Sequence, residues 1–382
     1  MRSYRSLPLL AAVALAACSL PDATGPAASV PPALSAGSAP VGGVFTSTNS
    51  TAGNAVVAFA RRADGTLEPT GTYPTGGTGT GAALGSQFAL VLSGDARFLF
   101  VVNAGSNSVS SFAVDKGALT LVATVATGGV RPVSVAASRQ TLYVLNAGSN
   151  TVTGFDVGPS GALTPRPDVA AALNPAAAGA AQVSVSPDGR FLTVAERFSN
   201  TIDTWLVAED GSLSGRITNA SAGATPFGFD YTNRGQVVVS EAGSGSASSY
   251  AQGRDGALTA VSAAAPTFQR APCWLVVNNA GSLAYTANAA SGTITGFAIG
   301  ANGDLTRLAA DGVSADLRVD PNVAPQPLDI DMSRNGRFLY VFENGSGSIS
   351  AWDVGPDGAL QLVGRAAEGI AARAGYAGLV AY

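Results

Sequence analysis

The chain has 382 residues and a formal net charge of −4, with 46% hydrophobic residues, only 12% charged residues and 47 glycines. So little charge and so much glycine suit short strands and tight turns; helices would need more Leu, Glu and Lys. Lys116 is the sole lysine and no basic run exists, which argues against nucleic-acid binding, and the absence of histidine removes Ser-His-Asp and Cys-His catalysis and every histidine-ligated zinc site.

Residues 1–17 read as a signal peptide, with Arg2 and Arg5 as a basic start and Leu7 to Ala17 as an apolar stretch. That stretch is too short for a permanent span, which needs about 20 residues. It ends in Leu15-Ala16-Ala17-Cys18, which resembles the lipobox of bacterial lipoproteins. The resemblance implies cleavage before Cys18 and lipidation of its sulfur. Ser19, rather than aspartate, implies the outer membrane, with the protein facing the periplasm. The competing reading is an ordinary Ala-x-Ala cleavage site with an incidental cysteine.

Residues 18–40 are dominated by Pro, Ala, Ser and Gly, which predicts a tether unable to bury a core. Stretched as polyproline helix it would reach about 70 Å. With Cys18 lipidated, Cys273 has no partner and no disulfide is expected.

Residues 41–382 are built on one repeated unit. Asn103, Asn146, Glu196, Glu241, Asn288 and Glu343 each precede an aromatic by nine positions: Phe112, Phe155, Trp205, Tyr250, Phe297 and Trp352. A Gly-x-Leu follows each aromatic, ending at Leu119, Leu163, Leu213, Leu258, Leu305 and Leu360, and Phe59 with Leu67 makes a seventh copy. Within the second copy, Phe88–Leu92, Phe98–Val102, Val109–Val114 and Leu119–Val125 read as four strands separated by turns. Four strands over 40 to 50 residues make a propeller blade. The prediction is an all-β, seven-bladed β-propeller with four-stranded blades. The first copy lacks an opening strand, and Ala377–Tyr382 is a spare one, so the C-terminal strand should complete the first blade. The repeated aromatics are expected to pack between blades. The chain is expected to be a monomer without a cofactor.

Asp188-Gly189-Arg190-Phe191-Leu192-Thr193-Val194, Gly336-Arg337-Phe338-Leu339-Tyr340-Val341 and Leu142-Tyr143-Val144-Leu145-Asn146 resemble the lactonase-type seven-bladed propellers over residues 41–382. WD-repeat propellers are less similar, since Trp352-Asp353 stands alone. The resemblance implies 6-phosphogluconolactonase-like or carboxymuconate-cyclising chemistry, in a group that also holds proteins without known activity. Enzymes of that family carry Pro-Arg-His before a central inner strand and Asn-Glu-Leu after the next one. Here the corresponding residues are Ala180-Ala181-Gln182 and Glu196-Arg197-Phe198.

In such a ring one face gathers the turns between second and third strands and the loops between blades. Glu196, Arg197, Glu241 and Glu343 come from the former, Tyr73, Arg131, Arg270 and Gln326 from the latter, and Gln182, Phe227, Trp274 and Asp329 from inner-strand starts. Arg131, Arg197 and Arg270 suit the carboxylate or phosphate of a sugar acid. Glu196 or Glu241 would serve as general base on a lactone if burial raises its pKa, and Gln182, Trp274 and Glu343 complete a ligand-binding set. The same residues also read as solvated rims or blade-to-blade ion pairs. Two readings follow: a propeller tethered to the membrane at Cys18, its family catalytic residues lost, binding a small molecule or protein through its top face; or a lactone hydrolase using carboxylates and arginines alone. No metal site is expected, because Asp311, Asp316, Asp320 and Asn322 lack the alternation of a calcium loop. Cys273 is expected to be a buried structural thiol.

Overall fold

A computed structural model describes residues 39–174 and 179–382. The signal peptide, Cys18 and most of the tether lie outside the described residues.

The strands fall into seven antiparallel sheets. Blade 1 holds β1 (Gly42–Ser47), β2 (Ala55–Arg61) and β3 (Leu67–Pro74); blade 2 holds β4 (Leu90–Leu92), β5 (Phe98–Asn103), β6 (Ser108–Asp115) and β7 (Ala118–Ala126). Blade 3 holds β8 (Pro132–Ser138), β9 (Thr141–Asn146), β10 (Thr151–Val157) and β11 (Leu163–Ala172). Blade 4 holds β12 (Ala180–Val185), β13 (Phe191–Glu196), β14 (Thr201–Val207) and β15 (Leu213–Ala220). Blade 5 holds β16 (Pro226–Tyr231), β17 (Val237–Glu241), β18 (Ser246–Gln252) and β19 (Leu258–Pro266). Blade 6 holds β20 (Pro272–Val277), β21 (Leu283–Asn288), β22 (Thr293–Ile299), β23 (Leu305–Arg307) and an added β24 (Ala315–Asp316). Blade 7 holds β25 (Pro327–Met332), β26 (Phe338–Glu343), β27 (Ser348–Val354) and β28 (Leu360–Ala366). The last strand, β29 (Ala377–Ala381), pairs with β1 and is the inner strand of blade 1, as the chain ends predict.

Each repeated feature of the sequence has a structural cause. The seven glycines that open the Gly-x-Leu turns, Gly65, Gly117, Gly161, Gly211, Gly256, Gly303 and Gly358, all have φ between +83° and +98°, where a side chain is strained. The backbone also has no room there: a Cβ on Gly65 would lie 2.4 Å from Phe338, and one on Gly161 2.6 Å from Phe98. The Phe of the Arg-Phe-Leu segment in one blade therefore packs on the glycine turn of the next. The once-per-blade aromatics are buried and share apolar clusters with the preceding blade: Phe59 with Phe338 and Tyr340, Phe112 with Phe45 and Val56, Tyr250 with Ala195 and Ile202.

Four inner strands open on proline (Pro132, Pro226, Pro272, Pro327), whose missing N–H costs nothing at a strand start. The residue before each, Arg131, Thr225, Ala271 or Gln326, has φ between +49° and +61°. The ladder then slips by a bulge, as between Pro132 and Ser134 or Pro272 and Trp274. A bulge re-aims the side chain beside it, and these bulges sit at one rim of the ring.

Blade 2 departs from the expected pattern. Its inner strand is only Leu90–Leu92, and Ser86 and Gln87, just before it, reach across the ring. Ser86 Oγ donates to the Val133 carbonyl at 2.8 Å, and the Gln87 N–H donates to the Ala181 carbonyl at 3.1 Å. Gln87 also exchanges two hydrogen bonds with the Leu275 backbone, at 2.6 and 3.0 Å. One short segment thus ties blades 3, 4 and 6 together across the centre, and Gln87 is fully buried. Tyr73, expected in a loop, lies within β3.

Candidate functional site

The ends of the second strands form a repeated latch. In each blade from 2 to 7 the last residue of that strand is buried and faces the residue seven positions later. Asn103 donates to Ser110 at 2.8 Å, Asn146 to Thr153 at 3.0 Å and Asn288 to Thr295 at 2.9 Å, while Glu241 accepts from Ser248 at 2.7 Å. The latch also grips the connection arriving from the preceding blade: Thr75 donates to Asn103 at 2.6 Å, and the Gly223 N–H to Glu241 at 2.6 Å. Ser221 and Ser246 add donors to Glu241 at 3.1 and 2.7 Å. Glu241 is fully buried, with both oxygens engaged.

Blade 4 breaks the pattern. Leu173 replaces the Thr or Ser of the arriving connection, and the residue seven positions after Glu196 is Asp203, an acid where the other blades carry a hydroxyl. Both carboxyls are fully buried. Arg216 hydrogen-bonds Asp203 and lies 3.9 Å from Glu196 Oε1, so one cation faces two acids. Burial and the Asp203 carboxylate push Glu196 up to about 7, opposed by a 2.9 Å hydrogen bond from Ser199 and by Arg216. In blade 7, Leu317 again replaces the hydroxyl residue, and Arg365 Nε lies 3.4 Å from the buried Glu343 carboxylate. Burial raises the pKa of Glu343 too, and Ser350 and Arg365 oppose the rise.

The rim beside these latches carries a different group. Arg197 follows Glu196 directly. Its Nε donates to the Gly179 carbonyl at 2.8 Å, and its guanidinium carbon lies 5.1 Å from the Phe198 ring centre and 5.4 Å from that of Phe227. Phe227 packs edge-on against Trp274 at 5.1 Å, and the Trp274 indole N–H donates to the Ser86 carbonyl at 2.8 Å. Both rings are almost wholly buried, whereas Phe198 is 70% exposed. Desolvation and the nearby Arg131 charge lower the Arg197 pKa, and Cys273 opposes the shift. Burial holds the Cys273 thiol near 12, so it is protonated and not a nucleophile. The segment of Ser86 and Gln87, a plug across the ring centre, adjoins this group: a methyl on Gly85 would come within 2.8 Å of Arg197 Nη1.

Of the residues expected at the top face, the structure brings together Arg197, Arg131, Phe227 and Trp274. Gln182 is fully buried and spends its amide on the Phe229 backbone, at 2.7 and 2.8 Å. Arg270 is exposed on the blade 5 to blade 6 connection, where its backbone N–H donates to the Ser291 hydroxyl oxygen at 2.8 Å. Glu343 lies at the junction of blades 6 and 7, and Gln326 is exposed there, 3.4 Å from the Asn344 amide. Asp329 is fully buried in β25 and accepts the Ile330 N–H at 2.9 Å. Cys273 is half-buried beside the arginine. In the late loop Asp316 pairs with Arg318 at 2.6 Å, and Asp311 and Asp320 cap their own turns. Among the described residues no group of three or more Cys, Asp or Glu side chains is arranged to hold a metal ion.

Sequence reasoning did not find the Ser86–Gln87 plug, the Asp203–Arg216 partners of Glu196, or the inner-strand acids Asp230 and Asp331. Asp203 had a signal: it is the one position seven residues past a latch that carries no hydroxyl.

The sequence profile described as lactonase, 7-bladed β-propeller, matches residues 51–177, 140–267 and 271–374. Among solved structures, a candidate 6-phosphogluconolactonase from Bacteroides uniformis is similar, with a TM-score of 0.73 and 19% identity over 90% of this chain and 100% of that one. Another from Bacteroides fragilis gives 0.69 and 18% over 89% and 98%. The periplasmic gluconolactonase of Pseudomonas aeruginosa gives 0.68 and 18% over 89% and 98%. No curated protein matches the chain in sequence. With the ring closed blade by blade and the family profile spanning most of it, the chain belongs to the lactonase seven-bladed β-propeller family.

Proposed function

We propose that this propeller binds a small anionic molecule, a sugar acid or its lactone, at the Arg197 rim, and that it does so as a lipoprotein held at Cys18 in the outer membrane. The observation that carries this is Arg197: a partly buried guanidinium resting on two aromatic rings, with a second arginine nearby and, among the described residues, no carboxylate hydrogen-bonded to it. Removing a cation from water without an acidic partner is costly, and a bound carboxylate or phosphate offsets that cost. The rings supply an apolar floor for the pyranose face.

Hydrolysis is the second reading, favoured by one feature: burial and the Asp203 carboxylate push Glu196 up to about 7, where a general base works best. Its burial beneath the turn speaks for binding alone. Titration calorimetry with 6-phosphogluconate should give a saturable complex that Arg197→Ala weakens at least ~10-fold. Release of 6-phosphogluconate from its lactone should stay at the spontaneous rate. Enzyme-dependent turnover that Glu196→Gln abolishes would establish the hydrolase instead, and a flat titration would remove the ligand assignment.

A further inference from the structure

Connections between blades hydrogen-bond the turn between the second and third strands of the blade they enter. The Ala147 and Gly148 N–H groups donate to the Arg131 and Val130 carbonyls at 3.0 and 2.8 Å, the Arg197 N–H to Gly179 at 3.3 Å, and the Ala289 N–H to Ala271 at 2.8 Å. Connections and turns thus make up one face of the ring. Val130, Phe198 and Phe268 protrude from it, between 51% and 70% exposed. Among the described residues the opposite face has only Val41, beside the start of β1, while Leu121, Val261 and Leu362 lie along the outer strands β7, β19 and β28. Phe268 also has φ of +57°, strained for an aromatic residue, and its ring stays in water with Arg307 over one side at 4.0 Å.

Each protruding side chain stands beside an arginine. Val130 precedes Arg131, Phe198 follows Arg197, and Phe268 lies two residues before Arg270. The segments that build this face from blade 2 to blade 6 are residues 103–108, 127–131, 146–151, 173–179, 196–201, 221–225, 241–246, 267–271 and 288–293. Their only acids are Glu196 and Glu241, and both are fully buried. Asp311, whose carbonyl accepts the Gln269 amide at 3.1 Å, marks the edge of the sector. Beyond it the exposed Val319 sits between Arg318 and Asp320, with Asp316 close by, so the cationic character ends there.

Apolar tips flanked by cations, with no exposed carboxylate among them, complement a surface that is anionic outside and apolar beneath. The tips stand on separate loops: one between blades 2 and 3, one in blade 4, one between blades 5 and 6. A fluid bilayer accepts such tips one by one, whereas a folded partner needs a continuous matching surface. We infer that this sector docks on an anionic phospholipid bilayer, with Val130, Phe198 and Phe268 at the acyl boundary and Arg131, Arg197 and Arg270 on lipid phosphates. The inference goes beyond the small-anion site and does not depend on it, since Val130 and Phe268 take no part in the Arg197 rim.

The test is co-sedimentation with vesicles. The chain from Ser19 keeps every strand of the ring and carries no lipid. It should bind phosphatidylcholine vesicles containing about 30% phosphatidylglycerol at least ~10-fold more tightly than phosphatidylcholine alone, and raised salt should weaken that binding. The double variant Val130→Ser with Phe268→Ser alters only exposed side chains, so it should melt with the parent. It should lose at least ~10-fold in affinity for the anionic vesicles and leave the 6-phosphogluconate titration unchanged. Arg270→Glu should weaken vesicle binding too, and Val41→Ser on the other face should not. No sedimentation, equal sedimentation with the two compositions, or full binding by the double variant would each overturn the inference. Capture on poly-glutamate without capture on vesicles would replace it with an acidic protein partner.

Discussion

Deleting Ala377–Tyr382 should leave no soluble native protein. Those residues are the inner strand of a blade whose other three strands lie at the opposite end of the chain. Without them β1 becomes an open edge, the template along which chains aggregate. The deletion also strands buried groups. Thr46 and Ser47 donate to the carbonyls of Gly378 and Ala377 at 2.6 and 2.7 Å, and Asp331 accepts the Ala381 N–H at 2.8 Å. Leu379 and Ala381 leave the core, as does the stacking of Phe45 on Tyr382. At about 1.5–3 kcal/mol per large apolar side chain and 1–3 per orphaned polar group, the loss is on the order of 10 kcal/mol. That is comparable with the whole stability of an ordinary domain. The soluble fraction after expression and the circular-dichroism melt check this. A deletion variant that stays monomeric and melts cooperatively near the parent would mean that β29 is not what closes the ring.

The ring was legible in the sequence because a blade cannot bury its faces alone, and each blade solves that problem with the same residues. A glycine forced to φ near +90° and an aromatic wedged against the neighbouring blade recur at fixed spacing, so counting them counts blades. The site was less legible. Arg131 and Arg197 could be assigned to one rim because their places in the repeat put them there. The repeat could not say which way a side chain turns at the end of β13 or β17. Glu241 turns inward and is consumed by the latch, Glu196 turns inward to face Ser199, Asp203 and Arg216, and Gln182 is consumed by the next blade's backbone. The plug was illegible for a different reason. The inner strand of blade 2 is cut short to Leu90–Leu92, and the Gln87 to Leu275 contact spans 188 positions of sequence, which no local pattern encodes. Where this chain departs from its own repeat, it carries something specific: Asp203 in place of a hydroxyl, the long connection before Pro327, the shortened β4.

Raising the pH from 5 to 8.5 should destabilise the native propeller, and the direction follows from its buried acids. Asp230 accepts N–H groups from Tyr231 and from Val277 of the next blade, at 2.8 and 2.9 Å, and burial nonetheless pushes it up to about 6. Asp331, bonded to the closing strand, is pushed up to about 7 by burial, with Asp230 adding repulsion. Asp329 is raised well above its ordinary value by burial, and Glu196 sits near 7. Each is raised above its unfolded value of about 4, so the native state holds more protons than the unfolded chain between pH 4 and 8. The associated stability is complete below about pH 4 and is lost as the pH climbs through 6 and 7. A shift of two to three units corresponds to about 3–4 kcal/mol per group at most, and relaxation of the site reduces it. Asp95 has the opposite shift, caused by Ser93 and Arg97, but it is exposed and its share is small. For a domain of this size a net loss of several kcal/mol corresponds to a fall in Tm of roughly 5–10 °C, measurable by calorimetry at pH 5 and 8.5. Asp331→Asn keeps an acceptor for the Ala381 N–H, and Glu196→Gln keeps a donor for Asp203. The double variant should therefore melt higher than the parent at pH 8.5 and show a flatter profile. Equal melting temperatures at the two pH values in the parent would mean that these carboxyls are charged and hydrated in the native state, and that water reaches the inner strands where the packing of the ring excludes it.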